Sequence, residues 1–187
     1  MTELRASLLR GSLGFGAVSV AAFSVWAFGG KWLGAHFKEY GFYVVMALVF
    51  IALSLLILYK LVRGPNSFAR FAKAYIPAFL AYSVAWCASW YVLKWVSGEI
   101  LGSLAGSVAF AAVVGWSLGN LKPLPKAALV LFIGHSAGYF LGGPIHYALK
   151  DPYRVVGILG WGLVFGLGFG AGIGYVFHVC QEPKPAT

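Results

Sequence analysis

The sequence predicts an all-α polytopic membrane protein of six transmembrane helices, forming a single domain over residues 1–187. Three observations lead there. The chain is 60% apolar with a mean hydropathy of +0.83. Only 10% of its residues are charged, where soluble domains carry about 25%. Six apolar runs, at 11–30, 41–62, 75–95, 101–119, 126–148 and 155–180, match the roughly 20 residues needed to cross a bilayer's hydrocarbon. The loops between them leave no room for a soluble domain.

Taken in order, the first run comes after a short basic segment containing Arg5 and Arg10. It exceeds the roughly 7–15 residues of a signal-peptide core and lacks an A-x-A site, so a retained helix is expected. After the second run, Arg63-Gly64-Pro65-Asn66 reads as a turn, with Ser67 as the cap of the next helical stretch. Phe68 and Phe71 alternate with Arg70 and Lys73. That pattern predicts an interfacial stretch, redirected by Pro77 into the third span.

Span three carries Ala78, Ala81, Ala85 and Ala88 on one stripe and Phe79, Tyr82, Trp86 and Trp90 on another. The small stripe is expected to pack inward. Lys122-Pro123-Leu124-Pro125-Lys126 is a stiff link between spans four and five. In span five, Gly142-Gly143-Pro144 predicts a break in the helix.

Span six is the most informative. Gly162, Gly166, Gly170 and Gly174 recur every four residues, and Gly168 and Gly172 form a second row. At about 100° per residue the rows lie on nearly opposite sides. Such a thin helix admits neighbours on both sides, and small-xxx-small contacts drive association in lipid, so span six should be central. Gly102, Ser103, Gly106, Ser107, Gly115 and Gly119 suit span four as one neighbour. Gly11-Ser12-Leu13 and Gly102-Ser103-Leu104 open spans one and four, which hints at a 3+3 inverted repeat of the kind found in secondary transporters.

An even number of spans puts both termini on one side. That side collects Arg5, Arg10, Lys60, Arg63, Arg70, Lys73, Lys122, Lys126 and Lys184; the other holds Lys31, Lys38, Lys94, Lys150 and Arg154. The bias predicts an inner (plasma) membrane protein with both termini cytoplasmic. The net charge of +9 does not indicate nucleic acid, because the basic residues mark helix ends. Their expected partner is the lipid bilayer, through anionic headgroups. Trp26, Trp32, Trp95, Trp116 and Trp161 fall near expected span ends and read as interfacial anchors. Cys87 and Cys180 differ too much in depth for a disulfide, and neither indicates a metal site. The glycine strings lack the strand and aqueous helix N-terminus of a phosphate loop.

Gly134-His135-Ser136-Ala137-Gly138 fits the G-x-S-x-G pattern of a nucleophile elbow. Such an elbow needs a strand, a turn and a positioned acid, all missing here. An intramembrane serine–histidine pair of the rhomboid kind is a closer comparison. However, Ser136 lacks the following glycine, and His178 should lie about 15 Å away in depth. No catalytic residue is assigned, and the protein is read as a non-enzyme in preference to an enzyme. A bis-histidine haem is disfavoured because neither His146 nor His178 matches the depth of His135. No cofactor is assigned.

His135 is the only ionisable side chain expected at mid-depth apart from Cys87; all five acidic residues, Glu3, Glu39, Glu99, Asp151 and Glu182, are expected at or beyond span ends. Intramembrane ionisable groups face the bundle interior and mark a site or pathway, the alternative being an imidazole bonded to a neighbouring helix for packing. The expected substrate-binding residues are His135, Ser136, Trp86, Tyr82, Gly166 and Gly170. The leading reading is transport or permeation of a small, neutral or weakly polar solute. The other is a non-catalytic membrane subunit, in which spans one and six grip a homo-oligomeric or larger membrane complex.

Overall fold

The computed structural model describes residues 2–181. Lys184 and Glu182 lie outside the described residues. Six helices are long and apolar enough to cross a membrane: α1 Glu3–Lys38, α2 Gly41–Leu61, α3 Ser67–Leu93, α4 Trp95–Leu118, α5 Leu124–Asp151 and α6 Tyr153–Cys180. No strand occurs among the described residues. In hydrocarbon every backbone N–H and C=O needs an internal partner, which a helix supplies within one segment. The outer surface is apolar, with Leu13, Phe28, Leu56, Val84, Val92 and Leu141 each more than half exposed. A soluble protein rarely shows so continuous an apolar surface.

The helices form three hairpins. Each turns at the end of the bundle far from the termini through a very short non-helical junction, at Lys38, at Lys94 and Trp95, and at Asp151 to Tyr153. At the terminal end, α4 stops at Gly119, whose φ of +78° allows the Asn120 N–H to reach back to Gly115 O at 2.8 Å. Arg63 ties three segments together there: its guanidinium lies 2.7 Å from Glu3 and 2.6 Å from His178 Nδ1, and its backbone N–H donates to Gln181 Oε1.

Helix α6 lies between α1 and α5, and each glycine row meets one of them. A Cβ added at Gly162 would meet Phe23, at Gly166 Ser19 and Gly16, at Gly170 Gly11 and Phe15, and at Gly174 Ser7. These partners all belong to α1. Gly168 and Gly172 face Gly134, Gly138 and Leu131 of α5. Two serines of α1 fasten the contact by donating to α6 carbonyls, Ser7 to Gly174 at 2.9 Å and Ser12 to Leu167 at 3.0 Å. Where the sequence pointed to α4 as a glycine-to-glycine neighbour of α6, α1 takes that position. The glycines of α4 instead receive α3: Gly98 meets Trp90, Gly102 meets Trp86 and Gly106 meets Tyr82. Helix α4 reaches α6 through a large residue, Phe110, which packs edge-on to Phe169 and Phe177.

The small stripe of α3 packs inward only in part: Ala78 is fully buried, whereas Ala88 is exposed. Phe79 and Tyr82 of the aromatic stripe are buried too, Tyr82 filling the hollow at Gly106 of α4. The stretch expected along the interface is also different. Helix α3 starts at Ser67, preceded by Asn66 with no side-chain cap, and runs unbroken past Pro77. Phe71 and Tyr75 are fully buried, with the Tyr75 hydroxyl donating to Ser54 Oγ at 2.9 Å.

The expected break at Gly142-Gly143-Pro144 does not occur; the non-helical residues of the α5–α6 hairpin are Asp151 and Tyr153. Glycine at 143 has no Cβ to clash with the Pro144 ring, which eases the helix there, while α3 also continues through Pro77 with Ile76 before it. Gly142 serves packing instead, since a Cβ there would strike the Trp161 ring.

Candidate functional site

The two glycines flanking His135 carry α5 onto α6. A Cβ at Gly134 would lie 2.5 Å from Gly168 O, and one at Gly138 would lie 2.8 Å from Val164 O. Both glycines of the G-x-S-x-G match are thus accounted for by helix approach, and Ser136 sits on regular helix rather than on an elbow. Its hydroxyl is buried without a hydrogen-bond partner.

His135 is 1% exposed and points inward. Its Nε2 lies 2.5 Å from the hydroxyl of Tyr82. If Nε2–H were the donor, both the tyrosine O–H and the His135 Nδ1 lone pair would lack partners. With the tyrosine donating, only one group, Nδ1–H, is left without one. The imidazole is clamped between aromatic rings: stacked with Tyr139 at 5.8 Å, and edge-on to Phe165 and Phe169 at 5.4 and 5.2 Å.

This histidine lines one of three adjoining cavities. The largest, of about 430 Å³, is enclosed by Phe23 and Trp26 of α1, Phe42, Tyr43, Met46 and Phe50 of α2, Trp86 of α3, Tyr139 of α5, and Trp161 and Phe165 of α6. The second, about 230 Å³, reaches His135, Tyr82, Ser83 and Cys87. The third, about 200 Å³, is lined by Trp90, Tyr91 and Glu99 among others. Tyr43, Trp86 and Tyr139 border all three. The indole N–H groups of Trp86 and Trp161 are buried without partners.

Of the residues expected at the site, His135, Tyr82 and Trp86 come together around one cavity. Ser136 does not line it. Gly166 and Gly170 face the opposite way and are closed over by α1. Two expected anchors, Trp26 and Trp161, are wall residues instead: α1 extends to Lys38, so Trp26 lies within the bundle, edge-on to Trp161 at 6.0 Å. Trp32, Trp95 and Trp116 are exposed.

Glu99 is the residue that sequence reasoning missed. The fourth apolar run starts at 101, whereas α4 begins at Trp95 and includes Glu99 just after its first turn. There it is half-buried and accepts a hydrogen bond from the Tyr139 hydroxyl at 3.1 Å. Its signal is a polar stripe at i, i+4 and i+8, Glu99, Ser103 and Ser107. Two hydrogen-bonded pairs therefore border the cavities, Tyr82 with His135 and Tyr139 with Glu99, and the Tyr139 ring stacks on the imidazole.

Among the described residues, no three His, Cys, Asp or Glu side chains gather to hold a metal. No protein-family model, curated protein or solved structure matches the chain, so the role of the site is read from its geometry.

Proposed function

We propose that the protein is a multi-pass transporter or permeation pathway of an inner (plasma) membrane, with the aromatic cavities as its solute site. One observation carries this reading. Five of the six helices converge on adjoining spaces whose lining residues include His135, Trp86 and Trp161, each with a buried ring nitrogen that has no hydrogen-bond partner. Ligand sites are commonly apolar hollows with a few convergent polar groups, and a buried donor left unpaired costs about 1–3 kcal/mol. A small, mainly apolar solute with a hydrogen-bonding group would satisfy both features.

Arg5, Arg10, Lys60, Arg63, Arg70, Lys73, Lys122 and Lys126 cluster toward the terminal ends of the helices, which supports cytoplasmic termini. The packing of α1 on α6 and of α4 on α3 is the pairing that an inverted 3+3 repeat would produce, and it is consistent with a transporter architecture. The subunit reading relied on free glycine faces of α1 and α6. Those faces are occupied within the chain.

The test is uptake of glycerol, urea and benzyl alcohol into proteoliposomes, monitored by light scattering. Comparison is with empty liposomes and with Ala47→Trp, which places a ring in the cavity that Ala47 lines. Faster entry of at least one solute, abolished by Ala47→Trp, is expected. Rates equal to empty liposomes for all three would overturn permeation of small neutral solutes.

A further inference from the structure

The walls of the site carry more chemical information than its size. The main cavity has nine aromatic residues among its ten lining residues. Neighbouring rings are steeply inclined, Trp26 to Trp161 at 69°, Tyr139 to Trp161 at 63° and Trp86 to Tyr139 at 61°. Rings so arranged pack edge to face around the cavity rather than in a flat stack. An aromatic face carries partial negative charge and attracts an ammonium group within about 6 Å of its centroid.

Charge points the same way. No Lys or Arg lines any of the three connected cavities, and Glu99 is their one charged side chain. Among the described residues no cation pairs with Glu99; its partner is the neutral Tyr139 hydroxyl. Carboxylates within a membrane bundle normally find a positive partner. A cationic solute reaching Glu99 would supply one. The unpaired indole donors of Trp86 and Trp161 require an acceptor in addition.

We propose that the solute is a small organic cation, a substituted ammonium held by the aromatic walls and Glu99, with a hydroxyl or carbonyl oxygen that accepts from the indole N–H groups. This keeps the solute site of the proposed function, on which it rests, and gives the solute a positive charge in place of a neutral one.

The probe pair is choline and dimethylbutanol, its uncharged carbon isostere, which shares its shape and hydroxyl group. Both are titrated against the full chain in lipid nanodiscs by calorimetry, with maleimide labelling of Cys87, a residue lining two of the cavities, as a second readout. Choline should bind about tenfold or more tightly than the isostere, as expected from one or two desolvated cation–π contacts. It should also slow Cys87 labelling where the isostere at equal concentration does not. Glu99→Gln keeps an acceptor for Tyr139 and should remove most of the advantage of choline while leaving the isostere unaffected. Equal binding and equal Cys87 protection by the two probes would overturn the cation assignment and leave the solute site standing. Failure of both probes to bind or to protect Cys87 would overturn the site itself. If Glu99→Gln fails to fold, as judged by its thermal melt, the Cys87 comparison on the unaltered protein decides.

Discussion

Substituting Gly170 with alanine adds one methyl group to the most crowded point of the α1–α6 contact. The new Cβ would overlap Gly11 O and lie 2.7 Å from Phe15 Cβ and 2.9 Å from Gly11 C. Backbone atoms and a first side-chain carbon cannot rotate away, so α1 must retreat. Reaching an ordinary 3.4 Å from Phe15 Cβ alone requires about 0.7 Å, and a gap of 0.5–1 Å forfeits roughly a quarter to a half of each van der Waals contact. Overpacking of this kind costs about 1–3 kcal/mol. Stretching the hydrogen bonds from Ser7 and Ser12 adds about 0.6 kcal/mol for each. Against this, alanine gains up to about 1 kcal/mol of helix propensity.

The net expectation is a loss of about 1–3 kcal/mol for Gly170→Ala. Gly34→Ala makes the same chemical change in α1, where a Cβ meets nothing within 4 Å. It should be neutral or stabilising by up to about 1 kcal/mol. Thermal unfolding in mild detergent, monitored by circular dichroism, compares the two with the parent protein. A Gly170→Ala protein as stable as the parent would refute the packing of α1 on the glycine row of α6.

The same geometry sets three further outcomes. Tyr82→Phe removes the hydroxyl paired with His135 Nε2 and leaves a buried ring nitrogen unpaired, so it should destabilise by about 1–3 kcal/mol; an unchanged denaturation midpoint would show that the bond is not formed. Ser7→Ala and Ser12→Ala should each cost about 0.6 kcal/mol and add nearly independently, measured by the same melts; a double variant no weaker than either single would contradict two separate ties between α1 and α6. A membrane-permeant maleimide should modify half-buried Cys87 well before Cys180, which is 1% exposed, as read by mass spectrometry of peptides; the reverse order would place Cys87 outside the accessible cavity.

The six helices were legible because lipid permits so few backbone solutions that composition and run length nearly determine them. The close approaches on both sides of α6 were legible as well, since only a neighbouring backbone explains glycine at every fourth residue for three turns. The identity of the neighbour was not. Gly11 and Ser7 of α1 carry a shorter small-residue signal than α4, yet α1 makes the contact, because complementarity depends on shape along the whole helix. At the site, three of the expected residues, His135, Tyr82 and Trp86, line one cavity, whereas Ser136, Gly166 and Gly170 do not. Sequence reading failed at Glu99, because a hydropathy run ends at the first carboxylate whether or not the helix does. It failed again at Pro144, which α5 passes without a break, as α3 passes Pro77.

The tie between Ser7 and Gly174 spans 167 positions of the chain, which bears on biogenesis. During synthesis the opening helix enters the bilayer with its glycine flank bare and waits until five further segments have emerged. Two outer layers can dock to a shared spacer only after that spacer arrives, so consolidation is postponed until α6 inserts. Until then the nascent bundle depends on the bilayer, or on an insertion chaperone, to shield a surface that its own sequel will cover.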